Sequence, residues 1–196
     1  MKNKEIKNKS IKEIYKECFD FIRESKNQIY FAIGVFIFFI LIGYFIPLPE
    51  ELELQLIKRI REIVIAFEGL TLWQTIWMIF SNNLLVCFIS IILGIFLGVF
   101  PFLILMSNGY LIGYVAQKAV FQEGILILWK LIPHGIFEIP AILLSVGLGF
   151  KMGSSLFRKN DFRQNFKNAM MVFLFVIVGL LIIAALIEGM LIFLAK

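Results

Sequence analysis

Charge, histidine and cysteine are all scarce in this chain. Of its 196 residues only 17% are charged, one is a histidine and two are cysteines. So small a charged fraction, beside 60% hydrophobic residues and a mean hydropathy of +0.90, excludes an ordinary soluble domain. The cysteines are Cys18, in a basic N-terminal segment, and Cys87, in a long apolar run. They fall at different depths of a membrane topology, which argues against a mutual disulfide. With a lone histidine a closed metal site would need Glu188, a cysteine or a symmetry mate, and the metalloprotease spacing HExxH is absent. There is no serine in a glycine-rich elbow and no nucleotide-binding glycine loop. Nothing here supports hydrolysis or phosphoryl transfer, so the expectation is a protein that is not an enzyme and needs no cofactor. The net charge of +5 comes from Lys and Arg gathered beside apolar runs. That pattern suits the lipid bilayer rather than nucleic acid.

What is present is a succession of apolar runs, and the fold expected is an all-α polytopic membrane helix bundle with about five transmembrane helices plus interfacial amphipathic helices. Residues 1–28 are polar and charged, with no short apolar core and cleavage site of a signal peptide. Within them Ile11, Ile14, Cys18 and Ile22, with Tyr15 and Phe19, recur at helical spacing, as in a basic amphipathic helix on the membrane surface. Residues 29–46 carry no charge, and eighteen residues at ~1.5 Å each make ~27 Å, close to the hydrocarbon thickness. Pro47 and Pro49 stop this first crossing, and the rest of the chain, 29–196, is expected to be the bundle with outer interfacial helices at about 51–80. There Leu52, Leu56, Ile60, Ile63, Val64 and Phe67 make one apolar stripe, while Lys58, Arg59, Arg61 and Glu62 forbid a crossing. Trp73 and Trp77 suit the headgroup level of a second interfacial segment over 70–80, and Ser81, Asn82 and Asn83 suit caps. The uncharged run 84–106 predicts the second crossing, with Gly94 and Gly98 at GxxxG spacing. Gly109 and Gly113 repeat that spacing after a turn at 107–109. The run 110–121, with Lys118, is either a short third crossing or a re-entrant hairpin. Crossings over 125–150 and 169–194 complete the set.

The organising stretch is 131–149, LIPHGIFEIPAILLSVGLG, long enough to cross a bilayer yet holding His134 and Glu138. Ionisable residues at membrane depth are costly and mark candidate functional sites. Four residues apart, the two share a helix face. Pro133 and Pro140 bracket them, and proline inside a helix frees carbonyls and kinks the axis. With Glu188 in the last run, and with Asn108 and Lys130 where the helices allow, they form one candidate polar cluster. Metal ligation, proton transfer and mutual hydrogen bonding at a kink all remain open for it.

The order of these features resembles the stage II sporulation protein M family. The resemblance rests on Asn82 and Asn83, Asn108 and Gly109, then Pro133, His134, Gly135, Glu138, Pro140 and Ala141, and finally Glu188, and it covers about residues 28–195. It implies a membrane scaffold that organises extracytoplasmic partner proteins, in spore formers those that remodel peptidoglycan during engulfment. Small-residue faces add the expectation of a homo-oligomer, a dimer foremost. The alternative is a transporter or channel using His134, Glu138 and Glu188 for a proton, metal ion or small solute. Lys151, Arg158, Lys159, Arg163 and Lys167 make 151–168 a cytoplasmic loop. Five crossings of the plasma membrane then place the N-terminus in the cytoplasm and the C-terminus outside.

Overall fold

The computed structural model of the chain describes residues 10–125, 132–156 and 162–194, with the backbone alone at 132–134. Among these residues every regular element is helical, and five stretches are long and apolar enough to cross a membrane: Lys26–Phe45, Leu72–Ile95, Val99–Glu123, Gly135–Ser155 and Phe162–Leu194.

Helix α1, Ile11–Glu24, starts where the Ser10 amide donates to the Glu13 carboxylate at 2.9 Å, a capping contact that satisfies an otherwise orphan donor. Its apolar arc is split between two environments. Cys18 and Phe21 are buried, packing with Ala169 and Val172 of the last helical rod. Ile11, Tyr15 and Phe19 stay exposed. The helix expected to lie free on the membrane surface therefore docks half its apolar face on protein, because Cys18, Phe21 and Ser25 sit one turn apart on one side. Buried Ser25 ends it, donating its hydroxyl to the Phe21 carbonyl at 2.7 Å.

Helix α2, Lys26–Phe45, runs from there to the opposite side of the bundle. It pairs chiefly with α5, Val99–Glu123, through glycine. A methyl group at Gly109 would lie 2.9 Å from the Phe36 carbonyl oxygen, and Gly43 and Gly113 rest directly on the backbones of Tyr110 and Ile40. Ring contacts between Phe39 and Phe102 extend the same seam. Helix α3, Glu50–Phe67, follows and, among the described residues, packs on no other helix beyond isolated contacts.

Helix α4, Leu72–Ile92, corrects the expected boundaries. Thr71 caps it, exchanging hydrogen bonds with Gln74, so residues 72–80 are the first turns of a membrane-length helix rather than a separate interfacial segment. Asn82 and Asn83, expected as caps, sit mid-helix. A single 3₁₀ turn, Leu93–Ile95, and a bend through Leu97 and Gly98, with φ of 56° and 76°, reverse the chain before α5. The predicted crossing over 84–106 thus holds a reversal in its middle. Hydropathy could not reveal it, because the turn is made of Phe96, Leu97, Gly98 and Val99, with no polar residue to mark it. The supposed turn at 107–109 is helical, with Ser107 and Asn108 returning side-chain hydrogen bonds to the Leu103 and Ile104 carbonyls. Residues 110–121 belong to a helix of 25 residues, long enough to cross completely.

Helix α6, Ile132–Ser155, returns with Pro140 inside it. Helix α7, Phe162–Val172, continues through a π-helical stretch, Phe173–Ile177, into α8, Val178–Leu194. Five passes place residues 10–25 and the 96–98 turn on one side, called here the near side, and α3 on the far side. The bundle falls into the α2–α5 pair and an α4–α6–α8 group, with α6 joining them where Gly147 meets Ile29 of α2. Each side carries a strap between the two. Helix α1, continuous with α2, docks on α7. Helix α3 links α2 to α4.

Candidate functional site

The buried face of α4 is a row at helical spacing: Thr75, Ile79, Asn83, Cys87 and Ser90 with Ile91. Three of these side chains are polar, and packing against α6 and α8 keeps them from water. Glycine contacts fix the register. A methyl at Gly149 would meet Pro101 and the Ser90 backbone, one at Gly153 would meet the Gly94 oxygen, and one at Gly189 would meet Ile76. The rings of Phe88 and Phe173 lie 5.5 Å apart. Helix α6 therefore runs alongside α4 in the same direction and α8 in the opposite one. Continued toward the far side, this register brings Glu138 of α6 and Glu188 of α8 to the Thr75–Asn83 stretch of α4.

Local chemistry agrees. Cys87 shares a side-chain hydrogen bond with Ser145 and lies within electrostatic reach of Glu138. Ser145 donates to the Ala141 carbonyl at 2.8 Å, and Ser90 donates to the Val86 carbonyl at 2.7 Å. Both hydroxyls are thus satisfied within their own helices, as is usual for serine in a span. Asn82 donates to the Asn83 side chain at 3.3 Å. One Glu188 carboxylate oxygen is buried, as is the Thr75 hydroxyl, which has no hydrogen-bond partner. Pro140 has no N–H to give, so the Ile136 carbonyl, two residues before Glu138, loses its helical partner.

Of the predicted cluster, the structure draws Glu138 and Glu188 toward the same stretch of α4. The backbone of His134 lies on α6 one turn before Glu138, while its side chain, that of Pro133 and the whole of Lys130 lie outside the described residues. Asn108 does not join. It sits on α5, bonded to its own helix and among the contacts of α2. Gly94 and Gly98 do pack closely, but not as one helix face, since Gly94 is in the 3₁₀ turn and Gly98 is the left-handed residue of the reversal. Both abut α6, at Gly149 and Phe150. Gly109 and Gly113 work as expected, on α2. Among the described residues no three His, Cys, Asp or Glu side chains gather as a metal site.

Sequence reasoning missed a second polar group. Glu53 of α3 accepts a hydrogen bond from the Tyr114 hydroxyl at 2.9 Å and pairs with Lys118 at 2.6 Å. The Lys118 ammonium also lies 5.3 Å from the Tyr114 ring centre. Lys118 first, then Tyr114, hold the Glu53 carboxyl below its usual range. The spacing of Tyr114 and Lys118, four apart, hinted at a shared helix face, but their partner lies 61 residues from Tyr114.

The model of the family described as stage II sporulation protein M matches residues 32–191. The chain belongs to that family. An uncharacterized protein of Methanocaldococcus jannaschii is 32% identical over 158 residues, 74% of this chain and 69% of that protein. A second uncharacterized protein of the same organism is 38% identical over 76 residues, 38% of this chain and 43% of its own length. No solved structure matches the chain. The family match and the five apolar helices make this a multi-pass membrane protein of the stage II sporulation protein M family.

Proposed function

We propose that this protein is a non-enzymatic membrane scaffold, a rigid helical platform that holds partner proteins at the plasma membrane. The observation that carries the reading is the strapping of the bundle on the near side. There helix α1, continuous with α2, docks on α7 and so binds the α2–α5 pair to the α4–α6–α8 group, while on the far side α3 links α2 to α4 through the chain and is held to α5 by Glu53. Alternating access works by rocking one such group against the other, and the docked α1 opposes that motion. It suits a platform of fixed shape. Family membership supports the same reading, since it implies a scaffold for extracytoplasmic partners. The basic residues of 151–168, on the side of α1, favour a cytoplasmic near side, which puts α3 and the C-terminus outside.

The test is mild crosslinking in the native membrane followed by purification and mass spectrometry. A reproducible extracytoplasmic partner, or a second copy of the chain, is the expected result. Recovery of the protein alone refutes the scaffold. The competing reading, transport through Glu138, Glu188 and His134, is favoured by carboxylates at membrane depth. Dye-loaded liposomes carrying the protein decide it: flux above empty controls supports transport, and none removes it.

A further inference from the structure

Helix α3 poses a question that the scaffold reading does not answer: what covers it. It is amphipathic, yet among the described residues no helix packs along it. Glu53, Leu56, Ile60 and Phe67 are half-buried on the side facing the bundle. On one flank Leu52 and Ile63 are 49% and 48% exposed, and on the other Ile57 and Val64 are 42% and 55% exposed. The opposite face carries Glu51, Gln55, Lys58 and Glu62, with Leu54 and Ile65, also exposed, between it and the Ile57 flank.

The connections dictate its attitude. Helix α2 ends at Phe45 and α4 begins at Leu72, so only residues 46–49 and 68–71 join α3 to the membrane-spanning helices. Four extended residues reach at most ~14 Å. The helix itself is ~27 Å long, so an upright α3 would carry its far end beyond the reach of either connection. It therefore lies closer to the membrane plane than to its normal, tilted by at most about 30°. Its neighbours at both ends are exposed apolar residues: Phe45, the last residue of one helix of membrane length, with Ile46 just beyond it, and Trp73 and Trp77 in the first turns of another. Tryptophan marks the headgroup level. The exposed flanks of α3 continue that belt.

We infer that the bilayer interface itself is the partner of α3, with Leu52, Ile57, Ile63 and Val64 in lipid, and that the Glu53–Lys118–Tyr114 group is the latch fixing the rotation of the helix about its axis. Lys118 and Tyr114 lie in the last turns of α5, at the level where α2 ends, since the Tyr110 hydroxyl donates to the Ile46 carbonyl. The latch thus pins α3 at interface depth and keeps its polar face outward. Arg61, between the Ile57 flank and solvent, reaches the headgroups by snorkelling. The inference is independent of the scaffold proposal, since a transporter would hold α3 the same way.

Both native cysteines are buried, so a nitroxide label reports only on an introduced one. Single labels at Ile57→Cys, Val64→Cys, Gln55→Cys and Lys58→Cys, in the full chain reconstituted into 3:1 phosphatidylcholine–phosphatidylglycerol vesicles, test the arrangement by collision with oxygen and with a soluble nickel chelate. Expected are several-fold greater oxygen than nickel accessibility at 57 and 64, and the reverse at 55 and 58. Nickel accessibility on both faces refutes lipid as the occupant. So does protection of 57 and 64 from both reagents, which means a protein, such as a second copy, covers the flank. Lys118→Glu should abolish the contrast between faces, and adding Glu53→Lys should restore it. A contrast unchanged in Lys118→Glu refutes the latch.

Discussion

The closure of α6 on the 3₁₀ turn is the most exposed prediction of the packing. A methyl group at Gly153 would lie 2.7 Å from the Gly94 carbonyl oxygen, 3.1 Å from the Gly98 nitrogen and 3.2 Å from the Leu97 carbonyl carbon. All three are backbone atoms, which cannot swing aside as a side-chain tip would. Ordinary contact begins at 3.4 Å, so Gly153→Ala must part α6 from the reversal by 3.4 − 2.7 = 0.7 Å at the oxygen. Overpacking of this kind costs ~1–3 kcal/mol. The gain from alanine over glycine in a helix returns only ~0.5–1 kcal/mol. The net loss of ~1–2 kcal/mol corresponds to a Tm lower by roughly 3–6 °C for a chain of this size. Gly179→Ala is the internal control. Nothing lies within 4 Å of a methyl there, and the residue is helical, so the same substitution should raise Tm slightly. Intrinsic fluorescence of the three tryptophans during heating in nanodiscs reads both. Equal or opposite shifts in the two variants refute the close approach of α6 to the turn.

Three further outcomes are expected. Thr75→Val removes a buried hydroxyl that has no partner while keeping its shape, so it should raise stability by ~1 kcal/mol; a loss in the same melting assay shows the hydroxyl to be engaged. Phe21→Ala empties a buried site under the Lys151 ammonium, 4.4 Å from the ring centre, and should cost ~3–5 kcal/mol locally. Amide hydrogen exchange should then rise across α1 and not in α4, and unchanged protection of α1 contradicts its docking. The folded-state pKa of Glu53 is depressed, so the latch's contribution is present in full above the ordinary carboxylate value of 4.5 and is lost as pH falls through the lower folded value. Mobility of a label on α3 should therefore rise only on acidification below about that value, and a rise near neutrality argues against Glu53 as the titrating group.

Much of the fold was legible because lipid imposes a simple rule. Runs of apolar residues long enough to cross become helices, and the five-crossing count and the two amphipathic segments follow from it. What the rule cannot see is a turn that lies within apolar residues. Phe96 to Val99 reverse the chain by backbone conformation, with Leu97 and Gly98 left-handed, and hydropathy runs straight through them. The same blindness placed the start of α4 late, because Ser81, Asn82 and Asn83 resemble caps although they lie mid-helix, with Asn83 alone buried. For the site, the residue types were readable and the pairings were not. Glu138 and Glu188 declared themselves by being charged in apolar runs. The Glu53 latch joins residues far apart in sequence, and the glycines of α6 gain meaning only from the backbones they meet.

The depth of the polar group bears on its role. Glu188 stands six residues before the end of α8 at Leu194, or ~9 Å along the axis. Glu138 reaches about the Phe80 level of α4 by the register above, eight residues or ~12 Å past the helix start. Both carboxylates belong to the far-side half. Toward the near side polarity continues to Ser90 and Ser145, whose hydroxyls donate within their own helices, and resumes only at the near end with Ser25, Gln28 and Ser155. Beyond them Gly94, Gly149 and Gly153 bring α4, the 3₁₀ turn and α6 backbone to backbone, among the buried side chains of Ile91, Leu148 and Met152. A path across the membrane needs polar groups at successive depths. Here the described residues separate the polar groups of the far half from those at the near end by direct backbone contact. An arrangement interrupted in this way favours a structural or docking role for the carboxylates, facing the same side as α3, over conduction through the bundle.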